Sequence, residues 1–455
     1  VALHAQPAGD PGVTGGRLVM PTRTLVVGSG GREHALAWKL AAEPGVNEVV
    51  VAPGSDAMTG EPRVRRLATV DPLDGAAVVA AARACAAELV VVGPEAPLAA
   101  GVGDALAEAG IAVFGPSVAA ARIETSKAYC HEIAAAAGVP MARSGVFSDA
   151  ASAVDFAHRL DADGCGVVVK ADGLAAGKGV TVARDLDEAA QAIETASAQG
   201  PVVIEERLEG PEASCIAVAD GRAAVALPIA RDHKRLLDGD AGPNTGGMGA
   251  YSPLPDLPDD AADELVARIH RPILAELARR GTPFRGALYA GLILTRDGPV
   301  LLECNARFGD PETQVILPRL AGPLGPLLLA AARGRLPDDV PHLATLPGAS
   351  VGVVLAAAGY PDTPRRGDII DGLDGPPRDG ALVFHAGTAR GPDGTYRTSG
   401  GRVLCVVARG ADLAEAAGRA ERAANAISFD GVQRRRDIGH PAFDPVAASM
   451  AGAAR

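Results

Sequence analysis

Three side chains of different chemistry fall at alternate positions in one short stretch: Glu303, Asn305 and Arg307. Residues 300–303 read as an apolar strand, and side chains two apart on a strand share a face. A carboxylate and an amide oxygen side by side are hard ligands of the kind Mg²⁺ takes together with substrate phosphates. A guanidinium on the same face can neutralise an acyl phosphate or a transferring phosphoryl group. Asp310, Glu312 and Gln314 close the same segment.

Lysine usage points to phosphate as well. The chain has five lysines against 38 arginines: Lys39, Lys127, Lys170, Lys178 and Lys234. An ammonium is a compact point charge, whereas guanidinium is a planar fork, so a tight phosphate site can require the first and reject the second. Lys170 and Lys178 bracket a loop containing Gly173 and Gly177, with Gly179 just beyond. The loop is not a Walker A sequence: the spacing from Gly173 to Gly177 is one residue short, and Gly179 stands where Ser or Thr is needed. It joins a strand at 167–170 to a strand at 180–183, which predicts a flap able to fold over phosphates and exclude water. Lys127 follows Ser126 at the start of a helix expected to reach about residue 137 and to stop at Gly138 and Pro140.

The strand expected at 201–206 ends in Glu205 and Glu206, followed by Leu208 and Glu212. These acids are either part of a hinge that holds adenine and ribose or a solvated strand end. Asp232, Lys234 and a glycine-rich stretch at 242–251, with Asn244, Thr245, Gly246 and Gly247, add polar groups on a long loop of the kind that usually has a functional reason.

The elements that must position these groups begin with residues 24–28, a buried strand, then a turn at 28–34 and a helix at 35–42. Strands at 48–52 and 89–93 with a helix at 75–87 between them predict a doubly wound parallel sheet. The first turn invites a dinucleotide reading and fails it twice. Glu33 occupies the third glycine position, and Val51, Ala52, Pro53 and Gly54 stand where the ribose-binding acid belongs. Gly30 and Gly31 can still offer backbone N–H groups to one phosphate, with Arg32 and His34 assisting. Glu95, after the next strand, is either a ligand contact or a helix N-terminal acid.

Composition sets the outer bounds. The 455 residues carry 48% hydrophobic and 22% charged side chains, ordinary for a globular enzyme, and only 3% aromatics, so the cores must be built from Ala, Val and Leu. A net charge of −12 argues against a general nucleic-acid binder. The six cysteines are dispersed without a C-x-x-C pair, which fits a reducing cytoplasm better than a disulfide framework or a zinc site. No apolar run is long enough to span a bilayer. Residues 1–19, rich in Gly, Pro and Ala, are expected to form a disordered extension. The stretch from Ser350 offers little chemistry of its own; Arg366, Asp368 and His385 pack or cap the site.

Taken in order, residues 28–35, 92–98, 170–180, 232–235, 242–253, 303–314, 384–388 and 399–405 resemble the ATP-grasp ligases, and more narrowly the glycinamide ribonucleotide synthetase family, over about residues 24–439. The resemblance implies a pre-ATP-grasp domain (20–122), a two-part α+β ATP-grasp domain (123–345, with a flap subdomain at about 138–208) and a small C-terminal α+β domain (346–445). It implies ATP-dependent ligation of glycine to 5-phosphoribosylamine through glycyl phosphate in purine synthesis, with no covalent enzyme intermediate. Lys127, Lys170, Gly177, Lys178 and Gly179 would hold the phosphates, Glu205, Glu206 and Leu208 the adenine, and Glu212 the ribose. Glu303 and Asn305 would hold Mg²⁺ or Mn²⁺. Arg307, Lys234 and Asp232 would be catalytic. Gly30, Gly31, Arg32, Glu33, Glu95, Asn244, Thr245, Gly246, Gly247, Asp310 and Glu312 would contact substrates. A cytoplasmic monomer without nucleic-acid or membrane partners is expected. The alternative is another ATP-grasp ligase, such as an aminoimidazole ribonucleotide carboxylase. One departure stands out: the strand at 288–294 carries no acid where many ATP-grasp enzymes place a first metal carboxylate.

Overall fold

The computed structural model describes residues 18–174, 179–257, 260–337 and 343–440. Gly177, Lys178 and most of the expected N-terminal extension lie outside these residues, as does the end of the expected C-terminal domain.

The first sheet has five parallel strands in the order Val64–Arg66, Glu48–Pro53, Arg23–Gly28, Leu89–Val92, Val113–Phe114. Its central strands are continuous apolar runs because helices cover both faces. The chain order reverses beside Arg23–Gly28, so a crevice opens at the carboxyl ends of Arg23–Gly28 and Leu89–Val92. Glu33 fills that crevice. It sits in the first turn of the helix Gly31–Ala42, and its Oε2 accepts from the Gly30 N–H at 2.7 Å, capping the helix. Its Oε1 lies 2.5 Å from Arg32 Nε. The acid that broke the dinucleotide pattern thus occupies the space a pyrophosphate would need.

The second sheet is antiparallel: Ser144–Phe147, Val202–Glu206, Val167–Ala171, Val180–Val182. Alternation divides its faces. Val167, Val169, Val202 and Ile204 pack with Ala153, Leu160 and Ile193 of the helices Ala150–Ala162 and Leu186–Ser197. Val168, Lys170 and Glu205 occupy the other face and line a cavity.

The third sheet, also antiparallel, runs Ala224–Ala226, Glu212–Asp220, Arg285–Thr295, Gly298–Asn305. Its register sets Tyr289 opposite Asn305 and Gly291 opposite Glu303. A fourth sheet joins Arg231–Asp232 and Gly249–Ser252 to Ala349–Ala356, Arg402–Gly410 and Leu382–His385, backed by the helix Leu413–Asn425. Residues near 231–252 therefore share a sheet with residues beyond 349, a pairing that nothing in the local sequence announces.

The crevice packing yields a stability test. A Cβ at Gly93 would overlap the Glu33 carboxylate, which also caps a helix and pairs with Arg32. Gly93→Ala should cost about 1–3 kcal/mol, the usual range for overpacking, read as a lower midpoint in urea denaturation. Wild-type stability would show that Glu33 can leave its place freely.

Candidate functional site

A cavity of about 1270 Å³ runs between the second and third sheets and reaches the fourth. It is lined by Arg32, Glu95, Lys127, Lys170, Gly179, Glu205, Glu206, Leu208 and Glu212, and also by Asp232, Lys234, Asn244, Thr245, Gly246, Glu303, Asn305, Arg307, Asp310 and Glu312. Four predicted contacts do not line it. The Gly30 N–H is taken by Glu33, and Glu33 itself is 1% exposed in the first crevice. Gly31 packs against Gln314 and Ala386. Gly247 sits in a left-handed conformation (φ +112°) against Pro311, its N–H donating to Thr245 Oγ1 at 3.0 Å.

At the cavity end covered by the second sheet (the lid sheet), Lys170 Nζ lies 2.8 Å from Glu205 Oε2 and donates to the Leu302 carbonyl at 3.1 Å. Both side chains are nearly buried. Burial would raise the Glu205 carboxyl, but the hydrogen bond from His131 and the charge of Lys170 hold it below the usual range. Lys127 begins the helix Lys127–Ala136, whose N-cap Ser126 accepts from the Tyr129 N–H at 3.1 Å. Lys127 Nζ donates to the Gly173 carbonyl at 2.8 Å. Burial lowers its pKa and so does Lys170, against the pull of Glu303.

In the middle, the amide Nδ2 of Asn305 lies 3.5 Å from Glu303 Oε1, so the pair shares one face as alternation requires. A half-turn of the amide points its oxygen the same way as the carboxylate. The two hard donors suit a small divalent cation that takes its remaining ligands from phosphate oxygens and water. Among the described residues no group of three or more His, Cys, Asp or Glu side chains is arranged to hold a metal. On the neighbouring strand, which carries no acid, Gly291 stands opposite Glu303, and a Cβ there would sit 3.2 Å from Glu303 Cγ. Arg307 Nε faces Glu95 Oε2 at 3.2 Å and Glu124 Oε1 at 3.3 Å. Glu95 is thus drawn into the site by an ion pair as well as heading the helix Glu95–Ala99. Burial raises the Glu124 carboxyl despite Arg307, and its Oε2 accepts from the Ala306 N–H at 2.7 Å.

At the far end, Lys234 Nζ bridges Glu212 Oε2 at 2.6 Å and Asp232 Oδ1 at 3.3 Å. Burial works against the ammonium there, and the two carboxylates more than offset it, so Lys234 is held charged. Asp310 Oδ2 lies 3.1 Å from Arg402 Nη2. Arg402, from the C-terminal sheet, also donates to the carbonyls of Asp310 at 2.7 Å and Gly246 at 2.5 Å. Burial would raise Asp310, but Arg402 and Arg32 bring it below its ordinary value. Ser214 Oγ donates to Glu312 Oε1 at 3.1 Å and meets the Tyr289 hydroxyl at 2.9 Å.

Sequence reading missed Glu124, His131, Arg402 and Tyr289. Two of these had a signal. His131 is one helical turn after Lys127 and so shares its face, and Arg402 lies inside a segment already marked by resemblance. Glu124 and Tyr289 reach the site only through tertiary packing.

A phosphate-scale cavity closed between two antiparallel sheets, with a doubly wound sheet alongside, is the ATP-grasp arrangement. The profile described as "Phosphoribosylglycinamide synthetase, N domain" matches residues 22–124, its "ATP-grasp (A) domain" residues 125–313 and its "C domain" residues 350–441. A phosphoribosylamine–glycine ligase of Streptomyces coelicolor is 54% identical over 419 residues, covering 91% of this chain and 98% of that protein. One from Mycobacterium leprae is 49% identical, covering 92% and 98%. The crystal structure of phosphoribosylamine–glycine ligase from Thermotoga maritima matches with a TM-score of 0.76 at 34% identity, covering 91% of this chain and 99% of that one. The chain belongs to the phosphoribosylglycinamide synthetase family, whose ATP-grasp fold goes with ATP and a divalent metal. The complex of Campylobacter jejuni biotin carboxylase with β,γ-ATP shares the fold, with a TM-score of 0.69 at 16% identity, covering 94% of this chain and 97% of that one.

Two tests follow from this geometry. Lys170 meets a carboxylate and a carbonyl as a point donor in a nearly buried place. Lys170→Arg should therefore fail almost as badly as Lys170→Ala, with kcat/KM for nucleotide falling roughly 100-fold, the scale of a lost charge-assisted contact. Wild-type kinetics in the Arg variant would refute the point-charge argument. Glu312 gives a pH test. Burial and then Asp232 push its carboxyl from the usual 4.5 up to about 7. Between those values the unfolded chain has shed a proton that the folded chain keeps, so stability falls as pH rises through the window. Glu312→Gln should remove that loss, gaining roughly 3 kcal/mol on wild type between about pH 5 and pH 8. Urea denaturation at both pH values measures it, and parallel pH profiles would contradict it.

Proposed function

We propose that this protein is an ATP-dependent ligase that joins glycine to 5-phosphoribosylamine, giving glycinamide ribonucleotide, ADP and phosphate in de novo purine biosynthesis. One observation carries the reading: two lysines (Lys127 and Lys170) beside an acid (Glu205), a hard-donor pair (Glu303 and Asn305) and a guanidinium (Arg307) line one cavity. The relatives that are about half identical bear the name of this reaction.

Val168, Val180, Met141 and Ile293 give the lid end an apolar wall for the base, with Lys170 and Glu205 at its edge. Lys127 and Lys170 hold phosphates. Glu303 and Asn305 hold a divalent cation, Mg²⁺ or Mn²⁺, which when bound neutralises charge on the transferring phosphate. Arg307, fixed by Glu95 and Glu124, faces the phosphoryl group as it passes to the glycine carboxylate. The amine of phosphoribosylamine then attacks the acyl carbon of glycyl phosphate and phosphate departs. Asp232 and Lys234 orient this end of the cavity, and Asp310 and Arg402 close it. Catalysis rests on positioning and charge, with no side-chain nucleophile. No helix among the described residues is long and apolar enough to cross a membrane; we take the enzyme to act as a cytoplasmic monomer.

Glycine-dependent ADP release, with radiolabelled glycine set against bicarbonate as acceptor, separates this reaction from an ATP-grasp carboxylase and from a nucleotide-binding scaffold. Label from glycine should appear in a phosphoribosyl product. In the same assay Glu303→Ala should lower turnover on the order of a thousandfold with an unchanged circular dichroism spectrum. Near-normal turnover in that variant would remove Glu303 from the metal site.

A further inference from the structure

Ser144 and Glu205 are register partners on neighbouring antiparallel strands, so their side chains lie on one face of the lid sheet. His131, from the helix Lys127–Ala136, lies over both. Its Nε2 is 2.7 Å from Glu205 Oε1 and its Nδ1 is 3.0 Å from Ser144 Oγ. A carboxylate only accepts, so the imidazole must carry its proton on Nε2, and the Ser144 hydroxyl can donate to Nδ1. The other oxygen of Glu205 is 2.8 Å from Lys170 Nζ. Each carboxylate oxygen has therefore met one donor and keeps acceptor capacity toward the cavity. Beside it, Lys170 retains a donor after its bond to Leu302.

An acceptor next to a donor is a pattern that reads purines. Adenine offers an exocyclic N6 donor beside the N7 acceptor, whereas guanine offers two acceptors, O6 and N7. We infer that His131 is a positioning residue for nucleotide choice: by pinning one oxygen of Glu205, it keeps the carboxylate turned to a 6-amino group and so selects a 6-aminopurine over a 6-oxopurine. Without that hydrogen bond both oxygens are free to chelate Lys170, and the donor and acceptor that read the base are spent on each other. The inference rests on the ATP reading above.

The test uses the full chain and the ratio of kcat/KM for ATP to that for GTP in glycine-dependent phosphate release. His131→Met should lower the ratio at least tenfold, chiefly through a higher KM for ATP, with kcat changed much less. His131→Gln places an amide N–H where Nε2 stood and should restore the ratio to within about threefold of wild type. Ser144→Ala, on a half-buried strand, removes the partner of Nδ1 that fixes the ring's orientation, loosens the Nε2 bond to Glu205 and should lower the ratio several-fold. It carries the test should His131→Met fail to fold. An unchanged ratio in Ser144→Ala and in a folded His131→Met, or equal losses with both nucleotides, would reduce His131 to a packing role and overturn the inference while leaving the ATP reading intact. A wild-type chain that uses neither nucleotide, or that prefers GTP, would overturn both.

Discussion

Arg32 and Arg307 donate to one carbonyl oxygen, that of Phe308, at 3.0 and 3.1 Å. Two guanidinium groups so close together repel, and burial removes the water that would screen them. Three carboxylates offset the charge: Glu33 on Arg32, and Glu95 and Glu124 on Arg307. Two of the three lie in the first turns of helices that follow strands of the parallel sheet, and Glu124 lies in the last turn of the helix Val118–Thr125. This cluster therefore bolts the first sheet to the strand bearing Glu303 and Asn305. Removing any one acid would leave a guanidinium short of a partner, so the geometry of the cavity floor depends on residues far apart in the chain, such as Glu95 and Arg307.

The same cluster explains why the first crevice is not a dinucleotide site. A pyrophosphate needs close approach to backbone, hence three small residues. Here the third position holds a glutamate whose side chain fills the space against Gly28 and Gly93. The sheet keeps a nucleotide-binding topology while its crevice serves as a joint, and Arg32 carries charge from that joint into the neighbouring cavity.

Much of this was legible locally. Apolar runs at 167–170 and 201–206 foretold strands ending in Lys170 and in Glu205 and Glu206, and the step from Glu303 to Asn305 foretold a hard-donor pair. Apolar runs foretold the parallel sheet. Illegible were features created by pairing across long separations. Resemblance alone set Glu33 among the substrate contacts, yet a capping bond and a buried ion pair turn it inward. Strands Arg231–Asp232 and Gly249–Ser252 are too short to predict and become a sheet only beside Ala349–Ala356.

That last pairing gives the C-terminal region its reason for being attached. The loop carrying Asn244 to Gly247 has few apolar side chains to anchor it, and loop backbone left to itself samples many conformations. The fourth sheet fixes one end of it through Gly249–Ser252. Arg402 holds its middle through the Gly246 carbonyl while also donating to the Asp310 carbonyl and pairing with the Asp310 carboxylate. The Tyr360 hydroxyl accepts from the Gly246 N–H at 2.9 Å. A region with little chemistry of its own in the sequence thus sets the far wall of the cavity, because one planar fork from its strand can satisfy two carbonyls and a carboxylate at once.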